Sequence, residues 1–348
     1  MLANGEDTGT FAVGDPPSGA ASMAKTDVHD TGPVARRRRL KVGIYLPNWT
    51  GGLDAGRAPR WPELRSMAQL IEDVGFDSLW VADEFRYVFD DGDAIAYWES
   101  ATILGAAAAV TKRIELGPLV AAVGFRNPAL LARMAMALDE VSGGRALLGL
   151  GAGYDEAEHR AHGFEWEHRV SRLEEAASII SQLLRTGHVD HQGRFFEMRD
   201  VVLEPRGPRP GGPPIIIGTI SIGPRLMRCV ARFADAWNGW LAFGDNRPSA
   251  VRPHREALDA ACREVGRDPA SLRRTVGIAV AMSDTPFRYG PFDLSTIALR
   301  GTPDEIASTL DAFADEGISH VMVYAFPLTP AALEDFAPVL ERLDAGGR

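Results

Sequence analysis

Short apolar runs of four to seven residues alternate with longer segments in which apolar positions recur every three or four residues, from about residue 40 to residue 343. The short runs predict strands over residues 41–46, 78–82, 115–120, 146–150, 214–217, 236–240, 275–281 and 320–324. The periodic segments predict helices over 61–74, 99–110, 128–141, 169–184, 224–233, 248–265, 303–316 and 330–343. Eight strand–helix pairs in about 310 residues predict an α/β fold, a single (β/α)8 TIM barrel. A doubly wound sheet is the alternative arrangement of the same elements.

Residues 113–158 show the pattern most clearly. IELGPLV is short and apolar, as in a strand buried on both faces. Asn127 caps the next helix and Pro128 takes its first position, where a missing N–H costs nothing. Leu130, Leu131, Met134, Ala135 and Leu138 share one helix face, and Gly143 with Gly144 ends it. The next strand opens into Gly149, Gly151 and Gly153, where missing side chains let an anion or a planar ring approach the backbone. This turn is not a dinucleotide fingerprint, because the third glycine is missing and it follows the fourth strand rather than the first.

Three segments exceed minimal barrel length: 84–97, 185–212 and 283–300. Barrel enzymes build pockets at the C-terminal face, so these insertions are expected to shape a substrate site, the second as a small hairpin. The candidate chemistry lies at the same face. Asp83 and Glu84 end the second strand, and Glu84 is either a proton-transfer group or a structural ion-pair partner. Gly218, Thr219, Ile220, Ser221 and Gly223 lead from the fifth strand into a helix start, whose free N–H groups suit an anion, with Arg225 or Arg228 adding charge. Asn48, Trp98, Glu99 and Arg126 are candidate substrate contacts; Glu99 could equally favour a helix N-terminus and Arg126 form a loop salt bridge.

The net charge of −10 disfavours nucleic acid and anionic membrane as partners and leaves a small organic molecule. Cys229 and Cys262 are too few for a disulfide framework, which fits a cytoplasmic location. His159, His162 and His168 lack the HExxH arrangement, so no metal site is expected. Residues 1–38 have the composition of a disordered tail without an export signal, and Met23 is an alternative start to Met1. Residues 39–348 form the barrel domain in this reading, and no apolar run is long enough to span a membrane.

The strings TKRIELGPLV, RNPALLARMAMALDEVSGGR and LGLGAGYDEAEHRAHGF resemble the bacterial luciferase-like monooxygenase family, most closely its subgroup using coenzyme F420. PPIIIGT, ARFADAWNGW and GTPDEIASTLDAFADEGISHVMVY extend the resemblance to about residue 343. It implies a bulge, often with a non-proline cis peptide, near Leu119 and Val120, backing the central ring of the cofactor. It also implies cofactor contacts at Asp83, Gly151, Ala152, Gly153 and Tyr154, and a phosphate cradle at Gly218 to Gly223. Glu158 and His159 would fix the covering loop. Related alcohol and sugar-phosphate dehydrogenases have a histidine at the place of Glu84 and a glutamate at that of Tyr154, so these two residues are the catalytic candidates of a different reaction. The implied function is hydride transfer between coenzyme F420 and a small organic substrate. The alternatives are an FMN-dependent monooxygenase using reduced flavin and O2, and a non-catalytic flavin or deazaflavin carrier. A homodimer, and a reductase supplying reduced cofactor, are the implied partners.

Overall fold

Eight parallel strands, β1 (Lys41–Tyr45), β2 (Ser78–Val81), β3 (Glu115–Pro118), β4 (Leu148–Gly151), β5 (Ile215–Thr219), β6 (Ala236–Trp240), β7 (Arg273–Ala281) and β8 (His320–Phe326), form the inner layer of the computed structural model. The structure describes residues 38–53, 56–89, 92, 94–283, 288–289 and 292–346. Residues 1–37, most of the expected tail, lie outside the described residues. The outer layer is α1 (Trp61–Val74), α2 (Ser100–Val110), α3 (Pro128–Ser142), α4 (Arg169–Thr186), α5 (Pro224–Phe233), α6 (Val251–Glu264), α7 (Pro303–Asp315) and α8 (Pro330–Gly346). Proline opens α3, α5, α7 and α8, where the missing N–H leaves no helical bond unmade. The Asn127 side chain caps α3 by accepting from the N–H groups of Ala129 and Leu130, and Gly143 ends it at φ 64°.

The strands neighbour one another in the order β3, β2, β1, β8, β7, β6, β5, β4. The ring closes between β3 and β4 in two pieces: Leu116 bridges Ala146, and Ala121 and Ala122 pair with Leu150 and Gly151. Between these pieces the Leu119–Val120 peptide is cis, at the position expected for a bulge. The third strand is therefore shorter than its apolar run. The fifth is longer, because Gly218 and Thr219 continue its ladder with Asn238 and Gly239. Large and small residues interlock inside the ring; a Cβ on Gly277 would lie 2.2 Å from the Trp240 ring.

At the opposite end of the barrel, Trp80 Nε1 donates to Ser78 Oγ at 2.6 Å, and that hydroxyl lies 2.7 Å from His320 Nε2. Burial, followed by the charges of Lys41 and Arg273, lowers the His320 pKa to about 3, so the imidazole is held neutral.

The predicted hairpin forms from His188–Gln192 and Glu197–Val202. Glu175 of α4 accepts from the N–H groups of Phe195 and Phe196 and lies 3.0 Å from His191 Nε2. This insertion leaves the C-terminal end of α4, remote from the carboxyl ends of the strands, and lines no part of the cavity described below. None of the described residues of 283–300 lines it either, whereas Glu84 and Tyr97 of the first insertion do.

Candidate active site

A cavity of about 250 Å³ opens at the carboxyl ends of the strands. One wall is built around Val120. Its side chain nests among three glycines: a Cβ would lie 2.4 Å from Val120 Cγ2 at Gly151, and 2.8 Å and 3.1 Å from Cγ1 at Gly218 and Gly149. Glycine is thus required at 151 and 218 by a neighbouring side chain of the same wall. Gly153 has two other reasons: its φ is +79°, and a Cβ there would meet the His159 ring at 2.5 Å. Beside these residues, Leu119, Ala152, Thr219, Ile220 and Ser221 also line the cavity.

At the rim, Tyr154 Oη donates to Glu84 Oε1 at 2.8 Å, so the two catalytic candidates are in contact. Glu158, from the short helix Glu156–Ala161, accepts from the N–H groups of Phe85 at 2.5 Å and Arg86 at 3.0 Å. It ties the loop after β4 to the loop after β2. Burial, helped by the charges of Glu84 and Asp155 and opposed by those two N–H bonds, raises its pKa to about 7. His159 Nδ1 lies 2.7 Å from the Asp155 carbonyl, and its ring packs on Phe125 and Trp166. His162 Nδ1 lies 2.9 Å from the Glu158 carbonyl. Both rings hold the loop, and among the described residues no cluster of three or more metal-type ligands is present.

The facing wall is aromatic. Tyr45, Trp240 and Tyr324, from the ends of β1, β6 and β8, meet edge to face with centroids 5.6–6.3 Å apart. Trp49 stacks on Tyr324 at 5.7 Å and meets Tyr97 at 6.2 Å. Tyr45 Oη donates to the Leu119 carbonyl at 2.9 Å, joining this wall to the β3 break. Burial, and then the charge of Glu84, raises the pKa of both Tyr45 and Tyr324. Sequence reasoning missed this wall. Its signal was an aromatic residue at or near the carboxyl end of three separate strands.

The four expected substrate contacts lie elsewhere. Asn48 is fully buried behind the wall, where Nδ2 donates to the carbonyls of Ala82 and Trp98. Trp98 is exposed on the outside and donates to the Pro59 carbonyl. Glu99 caps α2 through the N–H groups of Ala101 and Thr102. Arg126 makes two bonds to Asp83, at 2.6 and 2.8 Å, and one to Glu99 at 2.8 Å. Position next to a strand end did not specify which side of the barrel wall a side chain would occupy. Asp83 reaches the cavity, but its carboxylate is engaged by Arg126, Ser100 and the Ala122 N–H. It anchors the displaced end of the third strand.

Gly223 is the N-cap of α5 and does not itself line the cavity. Arg225 and Arg228 pair with Glu174 and Glu264, so neither is aimed at the mouth as an extra charge. Instead, α4 and α5 both begin beside the mouth without a side-chain cap, and Arg169, Val170 and Leu226 of their first turns line it. Two helix N-termini and Arg169 offer N–H groups and positive potential to an anion.

An apolar glycine wall, an aromatic wall facing it and a hydrogen-bonded acid–phenol pair at the rim define an enzyme site at the catalytic end of a (β/α)8 barrel. The chain belongs to the luciferase-like monooxygenase family, whose profile matches residues 40–289. It is 31% identical over 210 residues to 5,10-methylenetetrahydromethanopterin reductase of Archaeoglobus fulgidus, covering 60% of this chain and 57% of that protein. It is 32% identical over 247 residues to pyrimidine monooxygenase RutA of Rhizobium rhizogenes, covering 67% and 66%. The chain thus spans less than two thirds of the length of these curated relatives. In fold it is similar to an F420-dependent secondary alcohol dehydrogenase, with a TM-score of 0.71 at 19% identity, covering 86% of this chain and 98% of that one.

Proposed function

We propose that this luciferase-like oxidoreductase transfers hydride between coenzyme F420 and a small organic substrate. The observation that carries the reading is the pairing of an apolar wall around Val120, kept free of side chains at Gly151 and Gly218, with the two uncapped helix starts of α4 and α5 at one mouth. A planar ring fits against the first and a phosphate against the second. Leu119, Val120, Gly151, Ala152, Gly153 and Gly218 would back the ring; Thr219, Ile220, Ser221, Val170 and Arg169 would hold the phosphate side. The deazaflavin supplies the hydride chemistry when bound. The protein's own residues do the rest: the walls exclude water, and Tyr154 with Glu84 holds or moves a proton at the rim. The similarity to a reductase, whose named reaction is a reduction, supports this reading.

The similarity to pyrimidine monooxygenase over 67% of the chain favours one second reading, an FMN-dependent monooxygenase. Anaerobic assay separates them. Substrate-dependent reduction or oxidation of coenzyme F420 without oxygen supports the first reading; strict dependence on O2 and reduced FMN supports the second. Where the reaction consumes reduced cofactor, a separate reductase would supply it. A homodimer would cover the apolar side chains of Leu130 and Val141, which α3 leaves more than half exposed.

A further inference from the structure

We propose that a strip of arginines beside the mouth binds an extended polycarboxylate, the chain of γ-linked glutamates that forms the tail of coenzyme F420. The inference rests on the reading of the cavity as a site for that coenzyme and adds the place where its anionic end lies outside the cavity.

Two segments far apart in the chain assemble the strip. The hairpin leaves the far end of α4, but its tip folds back along that helix. Glu175 accepts from the N–H groups of Phe195 and Phe196, and Arg194 Nη2 lies 3.1 Å from Nε2 of His168, the N-cap residue of α4. The tip therefore meets the uncapped helix start at the mouth. Arg169 lines the cavity there, with its guanidinium 4.3 Å over the Trp166 ring. Arg172, three residues on and on the same helix face, lies 4.7 Å over the Phe195 ring, and Arg194 lies 5.0 Å over that same ring. Three guanidinium groups thus run from the mouth to the hairpin tip, with Arg169 and Arg194 exposed and Arg172 half-buried.

Among the described residues, none of these three arginines forms an ion pair with a carboxylate. The neighbouring acids are engaged elsewhere. Glu167 pairs with Arg160, and Glu165 acts on that arginine too. Glu174 pairs with Arg225 and Arg232, and Glu175 is held by the hairpin and His191. Like charges this close repel one another, and a bound anion relieves the repulsion. Stacking on aromatic rings orients the guanidinium planes and leaves their N–H edges to bind carboxylates through paired bonds. The starts of α4 and α5 already suit one phosphate at the mouth, so charges that continue beyond it suit a ligand whose anionic groups continue as well. The protein as a whole carries a net charge of −10 and repels a polyanion, so holding one requires such a local excess of positive charge.

The test is fluorescence titration of the full chain with two forms of the coenzyme, one carrying several glutamates and one ending at the lactate beyond the phosphate, at about 50 mM and about 500 mM salt. At low salt the glutamylated form is expected to bind about tenfold or more tightly than the short form, and at high salt the difference should shrink to about twofold. Arg172→Gln and Arg194→Gln combined, with folding checked by circular dichroism, should bring the two forms within about twofold at low salt and leave the affinity for the short form unchanged. Arg194→Gln alone, at the exposed tip, should give part of that loss. Free tetra-γ-glutamate, titrated calorimetrically at low salt, should bind wild type and not the double variant. Equal affinity of the two forms for wild type, or an advantage that survives the double substitution, would overturn the proposal while leaving the coenzyme reading in place. If neither form binds, the coenzyme reading and the tail both fall. Tetra-γ-glutamate binding that still requires Arg172 and Arg194 would then assign the strip to a free polycarboxylate, and absence of binding would remove the site altogether.

Discussion

The Val120 side chain occupies the space that a side chain at Gly151 would need: a Cβ there would sit 2.4 Å from Val120 Cγ2. The wall of the cavity is therefore a fitted pair before any ligand enters. Gly151→Ala should destabilise the fold by about 1–3 kcal/mol, the usual scale of overpacking. Val120→Ala in the same chain should recover much of that loss, giving a coupling of about 1 kcal/mol or more in a double-mutant cycle of denaturant unfolding. Additive effects would show that the two residues do not compete for one space.

The barrel was legible because its strands and helices differ in hydrophobic period, and because Asn127, Pro128 and Gly143 punctuate α3 through local backbone chemistry. The β3 break at Leu119 and Val120 came from family wording; periodicity alone ran the strand straight through it. The aromatic wall was not legible. Tyr45, Trp240 and Tyr324 lie far apart in the chain, and each alone has the appearance of a core residue. Trp98, Glu99 and Arg126 misled for the converse reason: they adjoin strand ends but sit outside the mouth, where Arg126 and Glu99 serve the buried Asp83 and the start of α2. The raised proton affinity of Glu158 depends on burial, which no local sequence pattern encodes.

Glu158 should tune stability with pH. Its folded pKa, about 7, is above the ordinary value of 4.5, so the folded chain holds a proton that the unfolded chain releases between these values. The stabilisation is fully present below pH 4.5 and is lost as pH rises through 7. Glu158→Gln keeps an acceptor for the Phe85 and Arg86 N–H groups and removes the titration. The melting temperature of the variant, measured against wild type from pH 5 to 8, should gain steadily with pH. Parallel curves would contradict the assignment.

His320 acts in the opposite direction. Its folded pKa of about 3 is below the ordinary 6.5, so its contribution is present above pH 6.5 and fades as pH falls toward 3. His320→Gln should be less stable than wild type at pH 7, because it disturbs the contact with Ser78, yet lose less stability on acidification to pH 4. Thermal unfolding of both proteins across that range checks the sign. A variant that loses as much as wild type would place the acid sensitivity elsewhere.

The Glu84–Tyr154 hydrogen bond should matter to turnover more than to folding, since both side chains lie at the partly exposed rim. Glu84→Gln is expected to lower turnover by about 10²-fold or more, the scale of general acid–base catalysis, with cofactor affinity and melting temperature nearly unchanged. Tyr154→Phe should show a loss of the same kind. Unchanged turnover in fully cofactor-loaded Glu84→Gln would remove it from the catalytic pair.

The central claim is that the wall around Val120, with the helix starts of α4 and α5, holds a deazaflavin. Its most direct test is titration of the purified chain with coenzyme F420 and, separately, with FMN, followed by absorbance and tryptophan fluorescence. Saturable binding of coenzyme F420 at one molecule per chain, tighter than FMN and weakened at least tenfold by Gly218→Val, is the result this account predicts. Retention of FMN with no affinity for the deazaflavin would contradict it.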